Sequence, residues 1–277
     1  MKLTILGSGT NIHPTRAAAG YVFETDRPIL LDFGPRTLSN LLQTGLDRHT
    51  IQHLLFTHYH ADHFSDFIPF FFDAVCQSKF AQVRPDLIIY GPPGTKRLFR
   101  TIFRTFPSFS DRPFRVILKE VKDRPFLIGH TQITPLPMTH SEQQVCLGYR
   151  LEYRGRSAAV SGDAMASPNL VNLCNGVDLA ILDCSFSSHQ PGVSHMNAEE
   201  CGKVAEKANV KKLVLSHFYE TADRSNVVAQ ARRFFSGPIL KGKDLLTLQV
   251  GRGIAKTRER VRGSRSATHR RRVGSSD

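Results

Sequence analysis

The segment Thr57-His58-Tyr59-His60-Ala61-Asp62-His63 constrains this chain more than any other part of its 277 residues. Three imidazoles and a carboxylate fall within six residues, directly after the apolar run His53-Leu54-Leu55-Phe56. Such a run reads as a buried strand. At the end of a strand the backbone can turn these four side chains into one pocket. Imidazole nitrogen and carboxylate oxygen are the ligands Zn²⁺ prefers when sulfur is absent. The pattern points to metal, and to more than one ion.

Around this segment, short apolar strands alternate with helical patterns. Lys2–Leu6, Tyr21–Glu24 and Ile29–Phe33 read as strands separated by Gly and Pro. Pro35–Thr44 reads as a helix stopped by Gly45, Phe64–Ser78 as a second helix, and Gly94–Phe106 as a third. Leu87–Tyr90, Arg115–Val121, Phe126–Pro135, Cys146–Tyr153 and Ser157–Val160 continue the strand series. Helices over Pro168–Cys174, Asn197–Ala208 and Ser225–Phe235 then alternate with strands Leu179–Leu182, Lys212–Leu215 and Leu245–Val250. Leu147-Gly148-Tyr149-Arg150-Leu151-Glu152-Tyr153 alternates apolar and polar positions, as an antiparallel strand with one wet face does. Strand runs at both ends with helices between them favour two packed sheets with helices outside.

Further ligand candidates also sit just beyond apolar strands. His140 ends the run Ile133-Thr134-Pro135-Leu136-Pro137-Met138-Thr139, Asp163 follows Ala158-Ala159-Val160-Ser161-Gly162, and His217 follows Lys212-Leu213-Val214-Leu215-Ser216. Taken singly, each reads as an ordinary loop or turn residue as readily as a ligand. Their order is more specific. His-x-His-x-Asp-His, a lone His, Ser-Gly-Asp and then Ser-His resembles the metallo-β-lactamase superfamily, as do Leu6-Gly7-Ser8-Gly9-Thr10 and Leu30-Leu31-Asp32-Phe33-Gly34.

The resemblance runs from residue 1 to about residue 250 and implies an αββα four-layer sandwich of two mixed β-sheets. It implies a site for two divalent ions, expected to be Zn²⁺, with Mn²⁺ or Fe²⁺ as alternatives. On that pattern His58, His60 and His140 hold one ion; Asp62, His63 and His217 hold the other; Asp163 bridges them. Seven ligands are too many for one tetrahedral zinc but suit two ions with open positions. A water held between two ions is acidified towards neutrality, which makes a bridging hydroxide the expected nucleophile of a hydrolase. Asp32 is expected to orient a ligand from behind.

Within the superfamily, His195 in Ser194-His195-Met196-Asn197 precedes His217 by 22 residues, the interval in which ribonuclease Z and related phosphodiesterases place a His before a helix. The resemblance gives His195 the role of general acid at the leaving group. It gives Asp62 a second role as base on the attacking water. No Cys occupies a ligand position, unlike the zinc β-lactamases. One departure stands out. Ribonucleases Z that mature tRNA carry a long arm between the lone His and the bridging Asp, whereas 22 residues with the pattern of one hairpin separate His140 from Asp163 here. Expectation therefore moves from tRNA 3′ processing to a small-molecule or short nucleic-acid phosphodiester. An arylsulfatase- or lactonase-like ester hydrolase remains open, as does a non-catalytic nucleic-acid-binding scaffold, although the complete ligand set argues against the last. A di-iron oxidoreductase is disfavoured because His60 stands where such relatives carry Glu.

Charge adds a separate question. Of the net +13, residues 252–277 contribute +7, with nine Arg or Lys against two acids, so the preceding 251 residues carry only +6. The two parts are read as a hydrolase domain, 1–251, and a basic, disordered tail, 252–277, with Thr268-His269-Arg270-Arg271-Arg272 a candidate for weak, salt-sensitive nucleic-acid contact. Lys96-Arg97-Leu98-Phe99-Arg100-Thr101-Ile102-Phe103-Arg104 places basic and apolar faces at helical spacing. The five Phe from Phe64 to Phe72 read as core or as a wall beside the metals. Five dispersed cysteines without a C-x-x-C pair fit a reducing compartment. With no signal-peptide pattern and no apolar run of membrane-spanning length, the expectation is cytoplasmic, with no membrane partner. The resemblance leaves a homodimer as an expected assembly.

Overall fold

The computed structural model describes residues 1–80, 84–190 and 194–251. The chain opens with strands β1 (Lys2–Gly7), β2 (Gly20–Glu24) and β3 (Ile29–Phe33), followed by helix α1 (Thr37–Gln43). Next come β4 (His53–Leu55), α2 (Ala61–Phe64), α3 (Phe67–Phe80), β5 (Leu87–Gly91), α4 (Thr95–Thr105) and β6 (Val116–Glu120). An antiparallel series follows: β7 (Phe126–Ile128), β8 (Thr131–Met138), β9 (Cys146–Tyr153) and β10 (Arg156–Val160). The rest is α5 (Pro168–Cys174), β11 (Leu179–Asp183), α6 (Ala198–Lys207), β12 (Leu213–Ser216), α7 (Glu220–Asp223), α8 (Val227–Arg232), β13 (Ile239–Lys241) and β14 (Thr247–Gln249).

These strands form two sheets of seven, ordered β14-β1-β2-β3-β4-β5-β6 and β13-β12-β11-β10-β9-β8-β7. Each is antiparallel in one half and parallel in the other, the change falling at β3 in the first and at β10 in the second. In the parallel halves the strands are short runs such as Leu213-Val214-Leu215, buried on both faces because helices cover one and the opposite sheet covers the other. In β9, by contrast, Leu147, Tyr149 and Leu151 are buried while Arg150 and Glu152 reach solvent.

Three apolar layers account for the packing. Leu3, Phe23, Leu31, Tyr149, Ile181 and Val214 interleave between the sheets. Phe33, Phe56, Phe67, Phe70, Phe71 and Phe99 seal α3 and α4 onto the first sheet, so the Phe-rich run is mainly core. Leu170, Leu173, Leu182, Val204 and Leu215 seal α5 and α6 onto the second. The chain is an αββα four-layer sandwich of two mixed sheets.

Some elements differ from the sequence reading. The helix expected over Phe64–Ser78 is two helices, because Asp66 leaves the helical ladder: its N–H donates to the Phe33 carbonyl at 3.0 Å and its carboxylate accepts from Leu38 N–H at 2.8 Å. The strand expected over Phe126–Pro135 is a hairpin, folded where Gly129 has φ +57. The helix expected over Ser225–Phe235 shortens to α8, capped by Asn226 accepting from Ala229 N–H at 3.1 Å. Strand β13, which pairs with β12 after Pro238, was not anticipated. No helix among the described residues is long and apolar enough to cross a membrane. The disordered tail expected over residues 252–277 lies outside the described residues.

Candidate metal centre

The candidate ligands converge at the carboxyl ends of strands from both sheets, where an open α/β sheet presents ligand sites. His58 follows β4, His140 follows β8, Asp163 follows β10 and His217 follows β12. Helix α2 begins directly after His60 and turns Asp62 and His63 back towards β3.

Two groups of donor atoms share Asp163, and within each group all atoms lie within 4.8 Å of one another. In the first, His60 Nδ1 is 2.9 Å from His58 Nε2 and 3.2 Å from His140 Nε2. Asp163 Oδ2 completes it at 3.6 Å from both of the other imidazoles. In the second, His217 Nε2 is 3.3 Å from both His63 Nε2 and Asp62 Oδ2. Asp163 Oδ1 completes that group at 2.9 Å from His63 Nε2 and 3.2 Å from His217 Nε2. All seven residues expected as ligands are thus brought together, and the two carboxylate oxygens of Asp163 face different groups.

The donor set suits divalent cations. Each group offers imidazole nitrogens and carboxylate oxygens, the donors that zinc accepts. In the first group ring nitrogens face each other at a separation that lone pairs tolerate only around a proton or a cation. Asp163 Oδ1 is buried and has no hydrogen-bond partner, a costly state unless something positive satisfies it.

The opposite edges of the rings are held. Asp32 Oδ2 contacts His63 Nδ1 at 2.7 Å and accepts from the Thr57 hydroxyl at 2.8 Å, so Asp32 orients the site from behind. His140 Nδ1 donates to the Ser194 carbonyl at 2.7 Å. The Ser185 hydroxyl lies 3.0 Å from His217 Nδ1 and donates to Asp183 Oδ1 at 2.6 Å. Such contacts fix the tautomer and aim the free nitrogen. Strained backbone accompanies them: φ is 55° at Asp32 and 62° at His217, values that non-glycine residues rarely adopt and that concentrate at functional sites.

His195 enters a third group with Asp163, Asp183 and His217. Its Nδ1 lies 2.8 Å from Asp183 Oδ2 but 3.9 Å from Asp163 Oδ2. The ring stacks over His217, with centroids 5.5 Å apart. Asp183 and Ser185 were missed by sequence reasoning. The available signal was an aspartate closing the apolar run Leu179-Ala180-Ile181-Leu182, much as Asp32 closes Ile29-Leu30-Leu31.

Electrostatics divides the rings. Burial, reinforced by neighbouring imidazoles, pushes His58 and His60 below the ordinary histidine pKa and keeps them neutral, as a metal ligand must be. Burial opposes charge on His63 and His217 too, but carboxylates outweigh it. Asp163 and Asp32 raise His63, while Asp163, Asp183 and Asp62 push His217 up to about 10. Against burial, the His217 contact also holds Asp62 ionised. Burial likewise opposes charge on His195, and the Asp183 hydrogen bond overcomes it and raises that pKa.

Between His140 and Asp163 there is only the β9–β10 hairpin, paired from Arg156↔Tyr153 to Val160↔Tyr149. No arm extends from this interval. A cleft of about 650 Å³ opens on His60 and His140, with Ser141, Glu142, Gln143 and Met165 on its walls.

A family model described as a β-lactamase superfamily domain matches residues 27–218. The chain belongs to the metallo-β-lactamase superfamily. Among similar proteins, an uncharacterized Mycobacterium tuberculosis protein is 29% identical over 250 residues, covering 86% of this chain and 88% of that protein. Ribonuclease Z of Mycolicibacterium gilvum is 26% identical over 282 residues, covering 92% of this chain and 98% of the relative. The crystal structure of the metallo-β-lactamase fold protein YhfI from Bacillus subtilis superposes with a TM-score of 0.79 at 25% identity, covering 89% of this chain and 98% of that one.

Proposed function

We propose that this metallo-β-lactamase superfamily member is a two-metal hydrolase acting on phosphodiesters. The observation that carries the reading is the division of Asp163, whose two oxygens face separate donor groups of otherwise complete composition. The expected ions are Zn²⁺, held by His58, His60, His140 and Asp163 in one group and by Asp62, His63, His217 and Asp163 in the other. Bound there, they would supply an acidified water and a Lewis acid for phosphoryl oxygen.

The chain's own residues contribute the remaining steps. Asp62 stays ionised, so it can accept the proton of an attacking water as well as bind metal. Asp183 engages Nδ1 of His195, which leaves Nε2 as the nitrogen that can face a substrate. Because Asp183 raises the His195 pKa, the ring holds its proton more firmly than an ordinary histidine and can deliver it to a departing alkoxide. Phosphodiesters are favoured over sulfate esters and lactones because such a donor matters most for a poor leaving group, and because a 26% identical relative is named ribonuclease Z. The missing arm argues for substrates other than those a tRNA-gripping arm would hold.

Metal analysis of purified protein should give about two ions per chain by the two-ion logic of such sites. Asp163→Ala should lose ions and activity together; full metal content in that variant refutes the bridging role. Hydrolysis of bis(p-nitrophenyl) phosphate without hydrolysis of p-nitrophenyl sulfate or aryl lactones selects the phosphodiesterase. The reverse pattern selects an esterase or sulfatase built on the same centre.

A further inference from the structure

Three clefts are linked in series by shared lining residues. The first opens on His60 and His140 and is bounded by Ser141, Glu142 and Gln143. The same three residues line a second cleft, which reaches Pro93. Pro93 also borders a third cleft, of about 610 Å³, at the place where the edge strands β6 and β7 of the two sheets meet.

The chemistry of the third cleft is distinctive. Lys96, Lys119, Lys122 and Arg124 line it, and all four are exposed. Among the described residues none of the four is in an ion pair. Two carboxylates share the wall, Glu120 and Asp123, but Glu120 is engaged by the backbone N–H groups of Gly94 and Lys96 at 3.1 Å each. Beside the cations lies apolar surface: Leu127 is 66% exposed, and Phe126 stacks on Tyr90 with ring centroids 4.8 Å apart. Along α4, Arg100 and Arg104 follow Lys96 at intervals of four residues, so the positive stripe continues beyond the cleft.

Cations interleaved with apolar faces match an unpaired nucleic-acid strand, whose phosphates seek positive charge and whose bases seek flat apolar contact. An acidic peptide would use the cations and leave the apolar floor idle. A small anion would need neither the length of the path nor its continuity with the metal centre. We propose that the three clefts are a binding track for a single-stranded nucleic acid, held at the Lys96–Arg124 end while a phosphodiester of the same strand lies at the metal centre. The placement of that phosphodiester rests on the phosphodiesterase reading above; the binding of the strand does not.

The test uses the full, Zn²⁺-loaded chain and a fluorescein-labelled oligothymidylate, with anisotropy read immediately after mixing. Each cation neutralising a phosphate contributes about 0.7 to the slope of log affinity against log salt for single strands. Combining Lys96→Gln, Lys122→Gln and Arg124→Gln should lower that slope by about 2 and raise Kd about a hundredfold at about 0.1 M salt. Turnover of bis(p-nitrophenyl) phosphate should be unchanged in the same variant, because none of the three residues touches the donor groups. Unaltered affinity and slope would overturn the track and assign any binding to another surface, the basic segment after residue 251 included. Competition by polyglutamate as strong as by unlabelled oligothymidylate would overturn the choice of nucleic acid. If slope and affinity fall as expected but the parent protein leaves bis(p-nitrophenyl) phosphate intact, the track stands and the phosphodiesterase reading fails.

Discussion

Replacing Asp183 by Asn removes one charge at almost constant volume, behind the two histidines that matter most for the proposed chemistry. Asp183 Oδ2 accepts from His195 Nδ1 at 2.8 Å and from Ala164 N–H at 3.1 Å. Its other oxygen accepts from the Ser185 hydroxyl at 2.6 Å and from Ser185 N–H at 3.1 Å. An amide accepts on one side only. If its oxygen serves Ser185, its NH₂ confronts His195 Nδ1, and the imidazolium must give up its Nδ1 proton to solvent, leaving a neutral ring protonated at Nε2. A hydrogen bond to a charged group is worth about 1.5–3 kcal/mol. At about 1.36 kcal/mol per decade this is a loss of about ten- to 150-fold in any step that uses the imidazolium as acid.

The loss should depend on the leaving group. At saturating Zn²⁺, kcat for bis(p-nitrophenyl) phosphate should fall less than about threefold, since nitrophenolate departs without a proton. Diesters that expel an alkoxide should show the full loss. The pH profile should move as well. A raised folded pKa keeps His195 charged past the ordinary histidine value, so the parent loses acid catalysis as pH rises through that pKa. In the Asn variant that descending limb should shift to lower pH. Metal content must be measured on the same samples, because Asp183 also reaches His217 through Ser185. An equal loss on every leaving group, an unmoved limb and a halved metal content would refute the acid-positioning argument and leave Asp183 as a support for His217 alone.

Metal removal should cost stability as well as activity: a ligand present at about a hundred times its Kd stabilises the fold by about 2.7 kcal/mol, so EDTA should lower Tm and Zn²⁺ should restore it. An unchanged Tm would count against ions bridging strands of both sheets. Gly34→Ala should destabilise by about 1–3 kcal/mol or more, because the added methyl meets the backbone carbonyl of Asp62 and must displace α2; a Tm equal to that of the parent would contradict this. His53 has its pKa lowered to about 4 by burial, with Arg27 and Lys119 adding to the effect. Its neutral form therefore supports the fold fully above the unfolded value near 6.5, and that support is lost as pH falls towards 4. The ceiling of about 3 kcal/mol shrinks to about 1–2 kcal/mol once solvent screening is allowed for. His53→Gln should flatten the decline of urea-unfolding free energy over that range, and an equally steep decline would exclude His53 as its source.

How much of this was legible in the sequence depended on whether the signal was local. The spacing of His58, His60, Asp62 and His63 is local, and it pointed to metal before any topology was known. His140, Asp163 and His217 became candidates only through their order along the chain, since each alone resembles a turn or loop residue. Asp183 was missed because it ends a strand that is buried throughout, and its importance arises from sheet order, which sets β11 between β10 and β12. The hairpin at Gly129 was hidden by apolar residues on both sides, one of which, Leu127, faces solvent. The break between α2 and α3 was hidden for a different reason. Five Phe at helical spacing propose one helix, and hydrogen bonds from Asp66 to distant backbone overrule them.

Charge as well as geometry supports the proposed pair of ions. Asp32, Asp163 and Asp183 are almost wholly buried, and Asp62 is largely so. Four carboxylates in such a volume demand compensation, since an unpaired buried charge costs several kcal/mol. Protons on His63 and His217 could supply part of it, which is why their pKa values are raised. A protonated imidazole, however, cannot bind metal. A single divalent cation would leave two of the four negative charges uncovered, and those protons would remain to cover them, disabling the second donor group. Two divalent cations would balance the four carboxylates with every ligating imidazole neutral. On this argument a second ion would be favoured because the first would not neutralise the pocket, and Asp163 would serve both because it is the carboxylate common to the two donor groups.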